Sequence, residues 1–383
     1  MSAEPLFDLV CNACGEAYPA AGFPAVCVLC GGAFHFADGF AWHPPTQGTG
    51  TPAGGDDAHG GDGGLRRWTR GLGLTPEELP GRSLSSPAGL YSVDDGEGGR
   101  PREVWICQQG SSPVGSYKER GAEVMVAAAV RRGIGELFLD SSGNAGIAVA
   151  RAAAARGVRC TVLVPATTAA RKVERIRAAG AHAEVIAGNR DDTSAAAQAW
   201  RARLPYAAPF FQPSFLAGVA TLAWDLAEEI GTPLPAHWLL PAGNGPLLLG
   251  LHLGLSCLLR AGIIASLPAL HAVQLAGYAA LSPQGPGEAP PGGPTASGIA
   301  IGHPPRRADM VRSIAATGGD VTTVEEVEIA AARRELAERG WTADPTGAAA
   351  FAGFRRRTDL GRTPPGAPAS CLVIVTSREE SLG

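Results

Sequence analysis

Residues 136–166 read ELFLDSSGNAGIAVARAAAARGVRCTVLVPA, and this stretch decides the fold class. It begins and ends with a short apolar run typical of a buried strand, and an alanine-rich segment typical of a helix lies between them. From Arg102 onward the runs EVWICQ, HAEVIAG, HWLLPAG and CLVIVTS alternate with alanine-rich segments in the same way. This alternation predicts an α/β fold with largely parallel sheets, in which ligands collect at the carboxyl ends of strands.

Composition limits the classes of function that the chain can have. Of its 383 residues, 45% are hydrophobic and 18% are charged, which predicts a globular protein of two or three domains. The net charge of -4 provides no basic excess for nucleic-acid phosphates or an anionic lipid surface. We therefore expect no nucleic-acid or membrane partner, and a small soluble molecule as the ligand.

No segment has the pattern of a signal peptide or a membrane span. The first residues, MSAEPLFDLVCNACG, contain two acids and lack a basic region followed by an apolar core, so a cytoplasmic location is expected. The most apolar run, residues 246–267, is interrupted by glycines, His252 and Arg260. This run predicts a buried helix.

Four of the eight cysteines have the spacing of a zinc ribbon. Two C-x2-C pairs are separated by twelve residues and consist of Cys11, Cys14, Cys27 and Cys30. Four thiolates give Zn²⁺ a closed tetrahedral shell, so the metal is expected to be structural. No lysine or arginine lies between the first and the last of these cysteines, which argues against a nucleic-acid role for the ribbon. The other four cysteines are expected to fill the core.

Three glycine-containing loops follow predicted strands, and each precedes a predicted helix. They are SSPVGSYKERG at residues 111–121, SSGNAG at residues 141–146 and PAGNGPLLLG at residues 241–250. Such a turn directs backbone N–H groups and the positive end of the helix dipole at one point, which suits a carboxylate or a phosphate. For the third loop alone, a plain tight turn explains the pattern equally well.

Lys118 adds chemistry to the first loop. A cation is poorly placed beside the positive end of a helix dipole, so a solvated lysine at this helix start is the less favoured interpretation. In a partly apolar cleft, desolvation lowers the pKa of a lysine amine, and the amine can then attack an aldehyde. The sequence therefore favours a nucleophilic lysine.

The same residues carry a family resemblance. The loop around Lys118 resembles the N-P-T-G-S-F-K-D-R-G motif of threonine synthases, which are fold-type-II pyridoxal-phosphate enzymes related to tryptophan synthase β and threonine dehydratase. Residues 140–192 resemble the same family, as do TASGIAIGHPPR at residues 295–306 and DPTGAAAFAGF at residues 344–354. The cysteine pairs resemble the ribbon that many threonine synthases carry. The chain is identified as a diverged member of this family.

The resemblance implies a domain organisation. It predicts two three-layer α/β domains with mostly parallel sheets, and an N-terminal zinc ribbon in residues 1–42. A linker is expected at residues 43–64, which contain almost no large apolar residue. The large cofactor domain would comprise residues 65–120 and 215–383, and a smaller α/β domain, residues 121–214, would be inserted in it. Family membership also implies a homodimer.

The resemblance assigns a set of residues to pyridoxal phosphate. Lys118 would bind the cofactor's aldehyde as a Schiff base and shuttle protons, and Asn144 would hydrogen-bond its 3′-oxygen. The cradle for its phosphate would consist of Gly243, Asn244, Gly245 and Leu247. A neutral hydroxyl would face the pyridine nitrogen, with Thr376 as the first choice and Ser377 as the second. Such a hydroxyl leaves the ring a weaker electron sink, which suits elimination and replacement.

A second set is assigned to the substrate. Its carboxylate would be held by Ser141, Ser142, Gly143 and Ala145. The GNRDD stretch at residues 188–192 resembles the family's G-N-F-D-D, so Asn189 would help to bind a substrate phosphate.

Several positions depart from the family pattern. The chain has Ser112-Pro113-Val114 for N-P-T, GVAT at residues 218–221 for G-Q-K-T, and LSSPAGL at residues 84–90 for E-G-x-T-P-L. Pro246 lies in the phosphate cradle and donates no N–H. Because these changes alter residues on the substrate side of the family motifs, the substrate can differ from that of threonine synthases.

The expected function is that of a pyridoxal-phosphate lyase acting on a small amino acid, with or without a phosphate group, and threonine formation from O-phosphohomoserine is the first choice. The alternatives are serine or threonine dehydration and β-replacement on O-phosphoserine. A hypothesis of a different class, motivated by the departures, is a catalytically impaired binding module.

Overall fold

The computed structural model describes residues 6–37, 40–45, 65–79, 88–93, 102–110, 114–288, 293–361 and 369–378. Most of the predicted linker, residues 46–64, lies outside these ranges, as do Ser112, Pro113 and residues 84–87 of the LSSPAGL stretch.

Short apolar segments form the strands of the described chain. They are β1 (Leu9–Cys11), β2 (Phe34–Phe36), β3 (Ala88–Val93), β4 (Arg102–Gln108), β5 (Glu136–Asp140), β6 (Arg159–Pro165), β7 (His182–Ile186), β8 (His237–Pro241), β9 (Ala269–Leu275), β10 (Val321–Val324) and β11 (Cys371–Val375).

The alanine-rich segments between the strands form helices. The α-helices are α1 (Thr69–Leu72), α2 (Lys118–Arg131), α3 (Asn144–Ala154), α4 (Ala170–Ala178), α5 (Arg190–Trp200), α6 (Pro213–Ile230), α7 (Pro246–Arg260), α8 (Arg307–Ala316), α9 (Glu326–Glu338) and α10 (Pro345–Arg356). Short 3₁₀ helices at Leu65–Trp68 and Pro76–Glu78 flank α1.

The strands form two main sheets. Strands β5, β6 and β7 are parallel and lie in that order. The larger sheet has the order β10-β9-β8-β11-β4-β3, and its strands are parallel except that β3 pairs antiparallel with β4. The prediction of an α/β fold with largely parallel sheets is therefore confirmed.

The molecule consists of two compact units. Unit 1 comprises Met1–Leu84 and Lys118–Thr221, and unit 2 comprises Ser85–Tyr117 and Leu222–Gly383. The unit limits place three passages along the chain: between Leu84 and Ser85, between Tyr117 and Lys118, and within α6. The domain limits inferred from the resemblance, residues 120 and 215, stay a prediction.

Each unit has its own apolar core. In unit 1, the ring of Phe138 from β5 stacks on Tyr206 with a centroid distance of 5.1 Å. In unit 2, Phe351 and Phe354 of α10 belong to a core cluster with strand residues such as Val104 and Val273. Burial of such side chains is the main source of stability for each sheet.

The apolar run at residues 246–267 contains the predicted buried helix. It forms α7, which ends at Arg260, and its leucines are largely buried. Among the described residues, none of the helices combines the length and hydropathy that a membrane crossing requires.

Candidate functional site

The loop after β5 has the strand–loop–helix arrangement that an anion site requires. Ser141 and Ser142 follow the last residue of β5, Gly143 is the N-cap residue of α3, and Asn144 is its first residue. A Cβ at Gly146 would lie 2.1 Å from the carbonyl oxygen of Ser141, so only glycine allows the loop to pack this closely on the helix. The four residues predicted to hold a carboxylate are therefore brought together with Asn144 at one helix start.

Lys118 is the first residue of α2 and is half-buried. The next two residues, Glu119 and Arg120, are buried, and the guanidinium of Arg120 donates a hydrogen bond of 3.0 Å to the Thr221 hydroxyl. Phe215 lies where a side chain on Gly121 would be, since a Cβ there would meet its ring at 2.5 Å. The first turn of α2 is thus fixed by close packing in unit 1.

Asn189 caps a helix. Its Oδ1 accepts hydrogen bonds from the N–H of Asp191 at 2.7 Å and of Asp192 at 3.4 Å, and the Asp192 carboxylate accepts the Asn189 N–H at 2.7 Å. This reciprocal pair is a capping box at the start of α5. The helix start therefore explains the N-x-x-D pattern by itself, and the predicted contact with a substrate phosphate stays a prediction.

The loop between β8 and α7 is built from residues that allow close backbone approach. A Cβ at Gly243 would lie 2.2 Å from the Gly298 carbonyl oxygen, and Gly245 is the N-cap residue of α7 with a φ of 88°. Backbone N–H groups at a helix start, beside a loop with little side-chain bulk, are a donor set that fits a phosphate. These residues therefore fit the phosphate end of pyridoxal phosphate.

The end of β11 lies beside this loop, because β11 is the neighbour of β8 in the larger sheet. Thr376 and Ser377 follow β11 directly, and both are buried. The Thr376 carbonyl accepts the Tyr117 N–H at 3.1 Å, and Ser377 forms a backbone bridge with Ser116. Which of the two hydroxyls faces a ring nitrogen stays a prediction.

Tyr117 is absent from the residues predicted above. The backbone of Leu247, a residue assigned to the phosphate cradle, is near enough to the buried Tyr117 phenol to oppose the effect of burial on its pKa. Burial raises the pKa of Tyr117 well above its ordinary value, so the phenol keeps its proton. The signal was present in the sequence, because tyrosine replaces the phenylalanine of the family motif.

Asp140 is a second missed residue. It ends β5, next to the predicted carboxylate loop, and it accepts hydrogen bonds from the Tyr206 hydroxyl and, at 3.4 Å, from Ser194. Burial raises the pKa of this carboxyl, and the hydrogen bond from Tyr206 opposes the shift. The carboxylate links the end of β5 to α5.

The four ribbon cysteines converge on one point. Their sulfur atoms all lie within 4.8 Å of one another, with Sγ–Sγ distances of 3.4 Å for Cys11–Cys30 and 3.7 Å for Cys14–Cys27. A tetrahedral zinc–thiolate site has sulfur atoms about 3.8 Å apart. The Ala13 N–H donates to Cys11 Sγ and the Gly32 N–H donates to Cys30 Sγ, both at 3.4 Å. The geometry fits a closed zinc site.

The loop between the cysteine pairs contacts the residue that follows α2. The Arg132 guanidinium donates to the carbonyl oxygens of Pro19 and, at 2.6 Å, of Gly22. It also lies 4.8 Å from the centroid of the Tyr18 ring, within the range of a cation–π interaction. These contacts hold the ribbon loop on unit 1.

Removal of zinc is expected to lower stability without a direct loss of turnover, because a closed four-thiolate shell has no position for substrate. Chelator treatment should lower the midpoint of thermal unfolding by several degrees and release zinc from the protein. Cys160→Ala, outside the ribbon, should leave the zinc content unchanged. A chelated protein that keeps its unfolding midpoint but loses turnover would show that the metal takes part in the chemistry.

Comparison with known proteins identifies the family to which the chain belongs. A family model described as pyridoxal-phosphate dependent enzyme matches residues 90–377. A threonine synthase of Methanosarcina acetivorans is 30% identical over 269 residues, which cover 68% of this chain and 66% of that relative. A mouse L-serine dehydratase/L-threonine deaminase is 34% identical over 155 residues, which cover 40% of this chain and 47% of that relative.

The chain thus spans just under two thirds of the threonine synthase that it matches. Among solved structures, a fungal L-serine ammonia-lyase from Rhizomucor miehei superposes with a TM-score of 0.64 at 22% identity, covering 78% of this chain and 95% of that chain. A maize serine racemase gives a TM-score of 0.61 at 21% identity, covering 78% and 89%. These likenesses show the same fold, and together with the family match they establish that the chain belongs to the pyridoxal-phosphate dependent enzymes of fold type II.

Proposed function

We propose that this protein is a pyridoxal-phosphate lyase that acts on a small amino acid with a leaving group on its β or γ carbon. The observation that supports this most directly is the position of the two glycine-containing loops. Both lie at the carboxyl end of a parallel strand and both open a helix, one at Gly143 and one at Gly245. One loop suits the substrate carboxylate and the other suits the cofactor phosphate.

The chain's own residues would divide the work as follows. When bound, pyridoxal phosphate supplies an electron sink for negative charge at the substrate Cα. Ser141 and Ser142, with the amides at the start of α3, hold the substrate carboxylate. Lys118 Nζ takes the proton from Cα and delivers a proton to the product. A neutral hydroxyl from Thr376 or Ser377 leaves the sink weaker than a carboxylate would, which favours elimination or replacement.

Formation of threonine from O-phosphohomoserine is the first candidate reaction. The relative from Methanosarcina acetivorans is named threonine synthase, and its similarity extends over 269 residues. Retention of Asn189 is consistent with a phosphorylated substrate, although its side-chain oxygen caps α5.

Dehydration of serine or threonine is the second candidate reaction. The mouse dehydratase/deaminase has the higher identity, 34%, over a shorter segment. The capping box also accounts for Asn189 without any phosphate. β-Replacement on O-phosphoserine, in which an added nucleophile such as a thiol displaces phosphate from Cβ, is the third candidate reaction, and phosphate release from O-phosphoserine with a thiol but without 2-oxo acid would indicate it.

A panel assay distinguishes these reactions. The purified protein is incubated with pyridoxal phosphate and with O-phosphohomoserine, O-phosphoserine, threonine or serine, and phosphate, ammonia and 2-oxo acid are measured. We expect phosphate release with threonine formed from O-phosphohomoserine. Ammonia and a 2-oxo acid from free serine or threonine, without phosphate from either phosphorylated substrate, would assign a dehydratase instead.

Asn189→Ser is the matched variant for this panel, because serine retains a capping oxygen but lacks the amide. If Asn189 binds the substrate phosphate, its loss should raise KM for the phosphorylated substrate about tenfold and leave KM for unphosphorylated amino acids unchanged. Equal KM values in the variant and the wild type would mean that Asn189 caps α5 and does not bind the substrate phosphate.

A further inference from the structure

The phosphate cradle packs against a second loop of unit 2, residues 295–302. A Cβ at Gly243 would lie 2.2 Å from the carbonyl oxygen of Gly298, so the backbones of the two loops are in direct contact at this point. Close-packed groups transmit displacements to their neighbours. A shift of Gly298 would therefore move the Gly243 backbone, which belongs to the predicted cradle.

Thr346 holds Gly298 in place. It is the second residue of α10, and its Oγ1 accepts the Gly298 N–H at 3.1 Å. A Cβ at Gly298 would lie 2.8 Å from Thr346 Cγ2 and 2.9 Å from Thr346 Oγ1, so both branches of the side chain face Gly298. A side chain branched at Cβ has few rotamers available to it. Gly298 is thus fixed at its N–H by Thr346 and lies with its carbonyl oxygen against Gly243.

The first turn of α10 is itself well fixed. Its N-cap residue, Asp344, accepts the Gly347 N–H at 2.6 Å. A Cβ at Gly347 would lie 2.9 Å from the carbonyl oxygen of Ser377, so this turn packs directly on the segment that follows β11. The turn that carries Thr346 therefore contacts the backbone of a residue predicted to face the pyridine ring and, through Gly298, the phosphate cradle.

We infer that Thr346 is a positioning residue for the phosphate cradle. Its hydroxyl fixes Gly298, and Gly298 in turn limits the position of the Gly243 backbone, beside which the cofactor phosphate would bind. Thr346 acts through Gly298 and not by contact with the cofactor. The inference rests on the proposed function.

The test compares the affinity of the cofactor-free protein for pyridoxal phosphate with its affinity for pyridoxal, which lacks the phosphate. Thr346→Val keeps the shape of the side chain but removes the oxygen that accepts the Gly298 N–H. We expect this variant to raise the Kd of pyridoxal phosphate about fivefold and to change the Kd of pyridoxal less than about twofold. Thr346→Ser, which retains the hydroxyl, should bind both ligands as the wild type does.

Thr317→Val is the matched control. The Thr317 hydroxyl accepts the Leu270 N–H at 3.2 Å, which is the same type of hydrogen bond in the same unit. Leu270 lies near the amino end of β9, and β9 is parallel to β8, so this bond lies at the sheet edge opposite the cradle. The control should lower the midpoint of thermal unfolding and leave both Kd values unchanged.

Gly298→Ala disturbs the same contact from the other side, since the added Cβ would meet Thr346. It should also raise the Kd of pyridoxal phosphate more than that of pyridoxal, and circular dichroism checks the folding of each variant. Unchanged constants in both Thr346→Val and Gly298→Ala, an equal rise for both ligands, or the same selective rise in Thr317→Val would overturn the inference. A wild-type protein that binds no pyridoxal phosphate would overturn the proposed function, and the inference with it.

Discussion

Lys118→Ala is expected to abolish covalent capture of pyridoxal phosphate by borohydride reduction. Reduction fixes the cofactor only through an amine to which its aldehyde is bound, and the chain contains two lysines, Lys118 and Lys172. Lys118 is the half-buried first residue of α2, whereas Lys172 is exposed on α4. Mass spectrometry of the reduced wild-type protein should locate the added mass on Lys118, and the variant should carry none.

Lys172→Ala is the matched control, and it should be captured as fully as the wild type. Capture that persists in Lys118→Ala and disappears in Lys172→Ala would show that the assignment of the nucleophile is wrong. A wild-type protein that is not captured, and that shows no spectral change with any amino acid, would favour the binding-module hypothesis.

Arg102→Met is expected to produce a large loss of stability. Arg102 is fully buried at the start of β4, and its Nη1 donates to the carbonyl oxygens of Phe354, Arg357 and Leu360 at 3.0, 2.9 and 3.1 Å. Its guanidinium also lies 4.2 Å from the Phe354 ring centroid. Methionine fills similar space but leaves buried carbonyls at the end of α10 without this donor, which should cost about 3 kcal/mol of unfolding free energy.

Arg356→Met is the control for this measurement. Arg356 lies at the end of the same helix and bonds the Glu328 carboxylate at 3.0 Å, but its side chain is 52% exposed. An exposed ion pair contributes about 0–1 kcal/mol. Urea denaturation should therefore separate the two variants clearly, and similar midpoints would mean that the Arg102 contacts contribute little.

The features that the sequence predicts well are local. EVWICQ, ELFLD, VRCTVLVPA, HAEVI, HWLLP and CLVIV are short, mainly apolar runs, and each of them contributes to a strand. After ELFLD and HWLLP, glycine and small polar residues come directly behind the strand, and these loops open α3 and α7. The cysteine pairs have their ligand spacing within 20 residues of chain, so their convergence was predictable too.

The features that sequence reasoning missed depend on residues distant in the chain. Strand β9 contains His271 and Gln274, which interrupt its apolar run. Both side chains are buried, and hydrogen bonds satisfy their polar atoms: His271 pairs with Asp320, and Gln274 donates to the Ala242 carbonyl oxygen. Strand β10 is four residues long, which is too short for a periodic signal. The Tyr117 N–H donates to the carbonyl oxygen of Thr376, which is far away in the sequence, and no local pattern predicts this hydrogen bond.

The ribbon takes part in two separate sets of interactions, and either set can be lost without the other. The four cysteines form the cluster that could hold a metal ion, whereas Arg132 contacts Tyr18, Pro19 and Gly22 in the loop between the cysteine pairs. A ribbon taken from another protein with the same four cysteines would bind zinc. It would lose its contact with Arg132 unless its loop also had the two carbonyl oxygens and the aromatic ring that Arg132 contacts here. Arg132 follows the end of α2, about 21 Å along the helix from Lys118. Loss of the Arg132 contacts would therefore leave the packing of the first turn of α2 unchanged, and the cysteine cluster would keep its metal.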